Sequence, residues 1–332
     1  MAALKFHALV LETTDRCNAR CGMCYQAAGP KGSSLRGDSR LNPDVIFRVL
    51  EEAARLPNLA PRAHVSGGEA FLRYEELRVI FKKARDVGFL NIGSTTNGFW
   101  AVTDGTAEER CLDLARAGVT YLEVSMDFWH LPYVPLKRIR TLLRASRRVG
   151  IPIFLRTLSS RTHNVGELFR EFTDCELLGA LVANGRVYPV GRGAVEVPMD
   201  DVYVGEGVQG CCETLLNLTV SPNGNVYPCC AGADMTDSLA SGNVNDEKLS
   251  DIIFKMETDR TIREVIHAGT GSLIPIVEEL GYGDRLKPQY ASICHLCWDI
   301  FKDDEMAAAI REYFAEKHLG DLVRFAEALP EM

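Results

Sequence analysis

The chain has 332 residues and a formal net charge of −8, with 46% hydrophobic and 25% charged residues. This ordinary globular composition excludes disordered and fibrous proteins, and the negative charge argues against non-specific nucleic-acid binding. No apolar run reaches the roughly 18 residues of a membrane helix, and residues 1–6 lack the basic and apolar regions of a secretory signal. We therefore expect a cytoplasmic protein with neither a membrane nor a nucleic acid as its partner.

Strand and helix patterns alternate over the first 190 residues. The predicted strands are residues 8–13, 63–66, 89–95, 121–126, 151–158 and 186–190. The predicted helices are residues 42–56, 74–87, 106–117, 136–149 and 165–178. Asn42 suits the N-cap of the first helix and Pro43 its first position. Gly88, Gly118 and Gly150 follow the next three helices and end them.

Six β-α repeats of roughly 30 residues imply parallel strands joined by right-handed helical crossovers. Such repeats form an open barrel or a doubly wound sheet. In both folds, the residues just after the carboxyl ends of the strands build the active site.

The texture of the sequence changes after residue 191, where glycine, aspartate, proline and cysteine become more frequent. We place a boundary there, between a first domain of residues 1–195 and a second of residues 196–332. In the second, residues 216–220 and 226–227 predict a hairpin with a tight turn. Residues 247–267 and 303–329 are predicted helices.

The eleven cysteines are an odd number, and most of them are bunched at positions 17, 21, 24, then 211, 212, 229, 230, then 294 and 297. Bunched cysteines in a chain without an export signal indicate metal binding rather than disulfides. The first group has the spacing Cys17-x3-Cys21-x2-Cys24, and three such thiolates can ligate three irons of a 4Fe–4S cube. No fourth cysteine follows in the next 80 residues, so one iron would stay open. A zinc site with a distant ligand, or three ordinary cysteines, are the alternatives.

This motif, followed by Tyr25 just past the first strand, resembles the radical S-adenosylmethionine (SAM) superfamily. The second strand ends in Ser66-Gly67-Gly68-Glu69, which resembles the Gly-Gly-Glu stretch that holds the SAM amino group in that family. Two glycines allow the backbone to approach a ligand closely, and a glutamate can pair with an ammonium group.

Three further strand ends extend the resemblance. They are Thr96-Asn97-Gly98, Ser125-Met126-Asp127 and Arg156. The resemblance implies that Ser125 and Arg156 bind the SAM carboxylate and that Asn97 or Asp127 binds the ribose. Turn formation is the alternative role for Asn97 and Asp127. Because Arg156 lies within an apolar strand, we expect it to be buried with an anionic partner.

The resemblance covers residues 8–190 and implies a partial, TIM-like (β/α)6 barrel of the α/β class. It also implies the chemistry. SAM chelates the open iron, and one electron from the cluster cleaves SAM to methionine and a 5′-deoxyadenosyl radical. This radical abstracts a hydrogen atom from a substrate C–H bond.

The second cysteine group resembles the auxiliary iron–sulfur domain of the Twitch and SPASM types. It consists of Cys212, a hairpin glycine, Cys229 and the pair Cys294 and Cys297. No cysteine follows, so we expect the shorter Twitch form, a small α+β domain with one auxiliary 4Fe–4S cluster. The doublets 211–212 and 229–230 leave the ligands open by one residue, and a structural zinc site is the alternative.

The substrate is predicted less directly. The first strand begins near residue 8, so we expect no leader-binding domain and a small natural product, such as an aminocyclitol or amino sugar, as substrate. Oxidation of an alcohol is the leading reaction, with an electron passing to the auxiliary cluster. The alternatives are epimerisation of a sugar or peptide residue with Cys230 or Cys211 as hydrogen donor, another peptide modification, or a non-catalytic metal-cluster protein.

The first cluster needs a reductant, for which a flavodoxin or ferredoxin-type protein is the expected partner. Helix 136–149 carries one basic face, formed by Lys137, Arg140, Arg144, Arg147 and Arg148. This face is either the solvated side of an outer helix or a docking surface for that acidic reductase.

Overall fold

Strands and helices alternate through most of the chain in a computed structural model that describes residues 3–204, 208, 210, 215–230 and 236–328. The strands are β1 (Ala8–Glu12), β2 (Arg62–Ser66), β3 (Asn91–Thr96), β4 (Tyr121–Ser125), β5 (Ile153–Ser159), β6 (Ala180–Arg186), β7 (Leu215–Val220), β8 (Asn225–Cys229) and β9 (Gly242–Asn243). The helices up to the end of the barrel are α1 (Pro43–Ala53), α2 (Tyr74–Asp86), α3 (Asp104–Ala117), α4 (Leu136–Val149), α5 (Val165–Phe169), α6 (Asp174–Leu177) and α7 (Gly193–Glu196). Those that follow are α8 (Leu249–Thr258), α9 (Arg260–His267), α10 (Ile274–Glu279), α11 (Ile293–Phe301) and α12 (Asp304–Ala328).

The strands form one sheet in the order β6-β5-β4-β3-β2-β1-β7-β8-β9. β1 to β6 are neighbours in sequence order and all parallel, so each connection crosses back over the sheet. This arrangement confirms the predicted α/β fold with a partial six-stranded barrel. The carboxyl ends of β1 to β6 meet at one edge, where the connecting loops can build a site.

Local signals set the helix ends as the sequence predicts. The side chain of Asn42 accepts a hydrogen bond from the Asp44 amide and caps α1. Gly118 and Gly150 end α3 and α4 with φ angles of 106° and 85°, which glycine adopts without the steric cost that a side chain brings.

Alternating positions on the strands point to opposite sides of the sheet. The outer face packs against the helices and carries apolar residues, among them Leu9, Leu11 and Ile92. The inner face carries polar residues at alternating positions of β2 to β5, namely His64, Thr95, Tyr121, Glu123 and Arg156. The barrel therefore has an apolar shell and a polar interior.

Two predicted elements of the barrel are wrong. β6 lies at Ala180–Arg186 rather than at residues 186–190, where Pro189 could not donate a hydrogen bond to a sheet. The predicted helix 165–178 is two short helices, because a capping box formed by Thr173 and Glu176 starts α6 afresh. Cys175 is exposed on α6.

The second part of the chain extends the barrel sheet. β7 pairs in parallel with β1, with Asn217 opposite Ala8, and β8 and β9 continue antiparallel. The predicted hairpin is confirmed, while the predicted helix 247–267 is divided at Asp259, which caps α9 by accepting from the Ile262 amide. The sheet continues across residue 195, and the division into residues 1–195 and 196–332 stays a prediction. None of the helices in the described ranges is both long and apolar enough to cross a membrane.

Candidate active site and metal centres

The loop after β1 holds the first three cysteines together. Cys17 and Cys21 are buried and Cys24 is half-buried, and all three belong to one apolar cluster. The amide of Ala19 donates to Cys17 Sγ at 3.3 Å. In the described part of the chain no three Cys, His, Asp or Glu side chains are grouped as the ligands of a single metal ion. A 4Fe–4S cube does not need such convergence, because each iron takes its own thiolate.

The surroundings of Cys17 and Cys24 disfavour their thiolate forms unless a cation is added. Burial raises the pKa of Cys17, and the nearby charge of Glu69 raises it further. Burial also raises the pKa of Cys24, which the guanidinium of Arg192 partly offsets. The iron atoms of a bound cluster supply the positive charge that three neighbouring thiolates require, so the loop fits such a group.

The segment after β2 packs directly against this loop. The amides of Gly68 and Glu69 donate to the carbonyls of Thr14 and Arg16, at 2.6 and 2.8 Å. A Cβ added at Gly68 would lie 2.3 Å from the Arg16 carbonyl oxygen. The glycines of the Gly67-Gly68-Glu69 stretch are therefore needed for backbone to approach backbone here. Ser66 accepts a hydrogen bond from the Thr13 amide through its carbonyl at 2.9 Å.

Glu69 is a buried carboxylate at the carboxyl ends of β2 and β3, with 2% of its surface exposed. It accepts hydrogen bonds from the amides of Phe71 and Asn97, at 3.1 and 2.7 Å, and from the Thr96 hydroxyl at 3.0 Å. Burial outweighs these bonds and raises the pKa of Glu69 to about 7. A cation beside it would relieve this cost, so the carboxylate fits an ammonium group.

Asn97 and Asp127 both form turns, which was the alternative role predicted for them. The Asn97 side chain accepts from the Phe99 amide at 3.0 Å, and its Nδ2 donates to Asn18 Oδ1 at 2.9 Å. Asp127 Oδ1 accepts from the Trp129 amide at 3.2 Å. Neither side chain is thereby excluded from a ligand contact, but each already has a structural function.

A histidine beside Asp127 was not predicted as a site residue. His130 Nδ1 lies 2.7 Å from Asp127 Oδ1, and the Cys21 thiol is close enough to act on the imidazole. Burial alone would lower the pKa of His130, but Asp127 and Cys21 outweigh it and raise this pKa well above its ordinary value. The sequence signal was only that His130 follows a strand.

Ser125 and Arg156 are opposite each other in the pairing of β4 with β5. The expected burial of Arg156 is wrong, because 58% of its side chain is exposed and its Nε lies 3.5 Å from Glu123 Oε2. The physical reason is that Arg156 lies on the polar inner face, which is open to solvent. Its predicted anionic partner is present, but it is a half-buried glutamate of this chain.

Tyr25 lies over a buried charge network that the sequence did not reveal. Its hydroxyl donates to Glu12 Oε1 at 3.1 Å, and Arg36 bridges Glu12 and Asp15 at 3.1 and 2.9 Å. Glu12 ends the apolar strand β1, and a charge at that position was the only sequence signal. The network fixes the start of the three-cysteine loop.

The second cysteine group is described in part. Cys229 ends β8, and Cys230 Sγ lies 4.0 Å from Asn217 Nδ2. Cys294 and Cys297 lie on α11, three residues apart and so on one face of an unpredicted helix. Cys211 and Cys212 lie outside the described residues.

Gly269 lies between Gly210, which precedes Cys211, and Ile293, which begins α11. A Cβ added there would lie 2.0 Å from the Gly210 carbonyl oxygen and 3.4 Å from Ile293 Cδ1. Residues next to Cys211 and next to Cys294 thus approach the same glycine.

Comparison with known proteins agrees with this geometry. Residues 11–168 match the radical SAM superfamily, and residues 211–298 match an iron–sulfur cluster-binding domain of the SPASM type. The chain belongs to the radical SAM superfamily.

Similar proteins cover most of this radical SAM chain. YydG of Bacillus subtilis (strain 168), named for peptide biosynthesis, is 21% identical over 297 residues, 88% of this chain and 91% of YydG. GTP 3′,8-cyclase of Vibrio atlanticus (strain LGP32) is 23% identical over 331 residues, 83% of this chain and 95% of the cyclase. The solved structure of anSMEcpe with bound AdoMet is 14% identical, with a TM-score of 0.54, over 93% of this chain and 99% of that chain. At this identity the solved structure shows the shared fold alone.

As a radical SAM enzyme with an auxiliary domain, the chain uses SAM and two 4Fe–4S clusters, one that binds SAM and one auxiliary. The expected cofactors are thus confirmed. The three-cysteine loop and the buried Glu69 fit the first cluster and the SAM ammonium, on the burial and charge described above.

The basic face of α4 is largely neutralised by neighbouring elements in this radical SAM fold. Arg144 pairs with Asp104 at 2.7 Å, and Arg148 with Glu108 at 3.0 Å. Arg140 lies 3.2 Å from Glu176. These pairs favour the interpretation of an outer helix with a solvated side.

Proposed function

We propose that this radical SAM enzyme epimerises an amino-acid residue of a peptide, with Cys230 as the hydrogen donor. In this proposal Cys17, Cys21 and Cys24 hold the SAM-binding cluster. The proposed SAM contacts are Tyr25, Ser66, Gly67, Gly68, Glu69, Asn97, Ser125, Asp127 and Arg156. The proposed auxiliary ligands are Cys212, Cys229, Cys294 and Cys297.

One observation supports the proposal: the three-cysteine loop and Cys230 lie toward opposite ends of strand β1. The three-cysteine loop follows Glu12 at the carboxyl end of β1. Cys230 lies against Asn217, which pairs with Ala8 at the amino end of the same strand. An epimerase must remove hydrogen from one face of a carbon and return it to the other, so it needs groups on both sides of the substrate.

When bound, SAM supplies a carbon radical that can take a hydrogen atom from an unactivated C–H bond. The residues of the chain then have to orient the substrate and deliver a hydrogen atom. A thiol suits delivery because its S–H bond is weaker than most C–H bonds. The thiyl radical that delivery leaves on the cysteine returns to the thiol by taking one electron from the external reductant and one proton from water. Cys230 is half-buried, so part of this residue is accessible, and the proposal places its thiol against the substrate.

The interior is accessible to a chain segment as well as to a small molecule. β6 pairs with β5, and no strand in the described ranges pairs with its other edge. Leu181 and Val182 of β6 are 55% and 49% exposed, so both faces of this edge strand are accessible to solvent. A peptide can lie along this opening with one residue inside the barrel. The name of YydG, a relative over most of the chain, supports a peptide substrate.

Oxidation of an aminocyclitol or amino sugar is the second candidate. The polar inner face favours it, because Glu123 and Arg156 are half-exposed there and can hold an amino group and hydroxyl groups. A small-molecule substrate therefore remains the second candidate after a peptide.

The test is turnover in deuterium oxide with anaerobically loaded enzyme, SAM and a chemical reductant. One arm contains a mixture of short synthetic peptides of varied sequence. The other contains a mixture of aminocyclitols and amino sugars. Release of 5′-deoxyadenosine above the substrate-free rate identifies the arm that contains a substrate.

The epimerase predicts a peptide product of unchanged formula with one carbon-bound deuterium, which Cys230→Ala loses while its iron content stays at the wild-type level. Cys175→Ala, which removes an exposed thiol on the outer helix α6, is the matched control. A product two mass units lighter without carbon-bound deuterium would instead establish oxidation. Deuterium incorporation that persists in Cys230→Ala would exclude Cys230 as donor and direct attention to Cys211.

A further inference from the structure

The segment after β6 closes over the three-cysteine loop, and we name residues 188–197 the clasp segment. Its Arg192 amide donates to the Cys24 carbonyl at 3.0 Å. Gly191 has a φ of 57°, and an added Cβ would lie 1.8 Å from the Tyr25 carbonyl oxygen. At the surface, Glu196 pairs with Arg20 at 2.6 Å. The clasp segment and the loop are therefore in backbone contact.

Arg192 is the centre of this contact, and only 6% of its surface is exposed. Its Nη1 donates to the Cys21 carbonyl at 3.0 Å. Its Nη2 donates to the carbonyls of Ala27 and Ala28 at 2.5 and 2.7 Å. Two of the four carbonyls that this residue binds belong to cysteines of the loop and two follow them, so one guanidinium joins the middle of the loop to its carboxyl end.

The charge of Arg192 is unusual for a buried guanidinium. Within the described residues it has no carboxylate partner, and its buried Nε has no hydrogen-bond partner. A buried charge costs several kcal/mol unless an opposite charge compensates it. Its guanidinium binds the Cys21 carbonyl and its charge acts on the Cys24 thiol, so a cluster held by thiolates of this loop would supply a compensating negative charge.

We propose that Arg192 is a positioning residue that fixes the three-cysteine loop and raises the reduction potential of the cluster bound there. The inference rests on the assignment of Cys17, Cys21 and Cys24 as ligands and is independent of the substrate.

The direction of the effect follows from electrostatics. Reduction adds one negative charge to the cluster, and a positive charge nearby stabilises the reduced state, more strongly where water is excluded. Removing the charge therefore makes the cluster harder to reduce. Replacing the planar guanidinium with an ammonium group keeps the charge but loses the fixed fork that reaches several carbonyls at once.

The experiment uses the fully loaded enzyme without substrate, so its result does not depend on the proposed epimerase. The midpoint potential is measured by EPR-monitored titration of the signal that changes when SAM is added, since only the SAM-binding cluster responds. Iron retention is followed against a chelator. The variants are Arg192→Gln and Arg192→Lys. The matched control is Arg20→Gln, which removes a charge that is 56% exposed from the same contact.

We expect Arg192→Gln to lower the ratio of reduced to oxidised cluster at least tenfold at a fixed solution potential. This corresponds to about 59 mV for a one-electron couple. Arg192→Lys should keep the wild-type potential but lose iron several-fold faster, and Arg20→Gln should change neither.

A wild-type potential in Arg192→Gln would overturn the proposal, as would wild-type iron retention in both Arg192 variants. If Arg192→Gln cannot hold the cluster at all while Arg20→Gln can, the positioning function is supported. The effect of the charge on the reduction potential is then decided by Arg192→Lys. If the ratio of reduced to oxidised cluster in Arg192→Lys also falls tenfold, the charge effect would be overturned.

Discussion

Glu69→Gln tests whether the buried, ionised carboxylate destabilises the folded chain when no cation is bound beside it. Burial raises the pKa of Glu69 from 4.5 to about 7 in the chain without ligands. The folded chain then binds this proton more tightly than the unfolded chain, so the stability it contributes is present at low pH and lost as pH rises to about 7. At about 1.36 kcal/mol per pKa unit, the loss is about 3 kcal/mol. Glutamine has no proton to lose, so the variant escapes this cost.

The assay is urea denaturation of the cluster-free chain under anaerobic, reducing conditions at pH 5 and pH 8. Relative to wild type, Glu69→Gln should gain about 3 kcal/mol in unfolding free energy between the two pH values. Glu75→Gln is the control, because the Glu75 side chain is 81% exposed. Its unfolding free energy should differ from that of wild type by the same amount at pH 5 and at pH 8. An equal difference between wild type and Glu69→Gln at pH 5 and pH 8 would refute the reasoning.

Two further predictions concern packing and the auxiliary cluster. Gly191→Ala should destabilise the chain by more than about 2 kcal/mol and lower its iron content, because its Cβ would clash with the Tyr25 carbonyl at a positive φ. Gly105→Ala in α3, where an added Cβ meets nothing within 4 Å, should be neutral or stabilising by about 0.5–1 kcal/mol in chemical denaturation. Cys297→Ala should lose about half the iron yet still cleave SAM reductively, as measured by 5′-deoxyadenosine release. Loss of SAM cleavage in a folded Cys297→Ala variant would contradict the separation of the two clusters.

The sequence predicted the barrel because its signals are local. The cap at Asn42 and the glycines after α3 and α4 act within one helical turn, and the alternation of apolar strands needs no knowledge of partners. The cysteine spacing is local in the same way, and the structure accordingly brings Cys17, Cys21 and Cys24 into one loop.

The sequence could not predict contacts between distant segments. Arg192 donates to Cys21 across 171 positions, and no pattern in either segment records the other. The exposure of Arg156 was mispredicted for a related reason, since an apolar strand does not show whether its inner face is filled or open. The helix that carries Cys294 and Cys297 was missed, because its nine residues are too few to show a clear helical period.

Iron content measured together with SAM cleavage tests the central claim most directly. Wild-type chain loaded anaerobically should contain about eight irons and release 5′-deoxyadenosine when reduced with SAM. The variant with Cys17, Cys21 and Cys24 all changed to Ala should keep about four irons and release none. A triple variant that still produces 5′-deoxyadenosine would contradict the assignment of this loop as the SAM-binding cluster site.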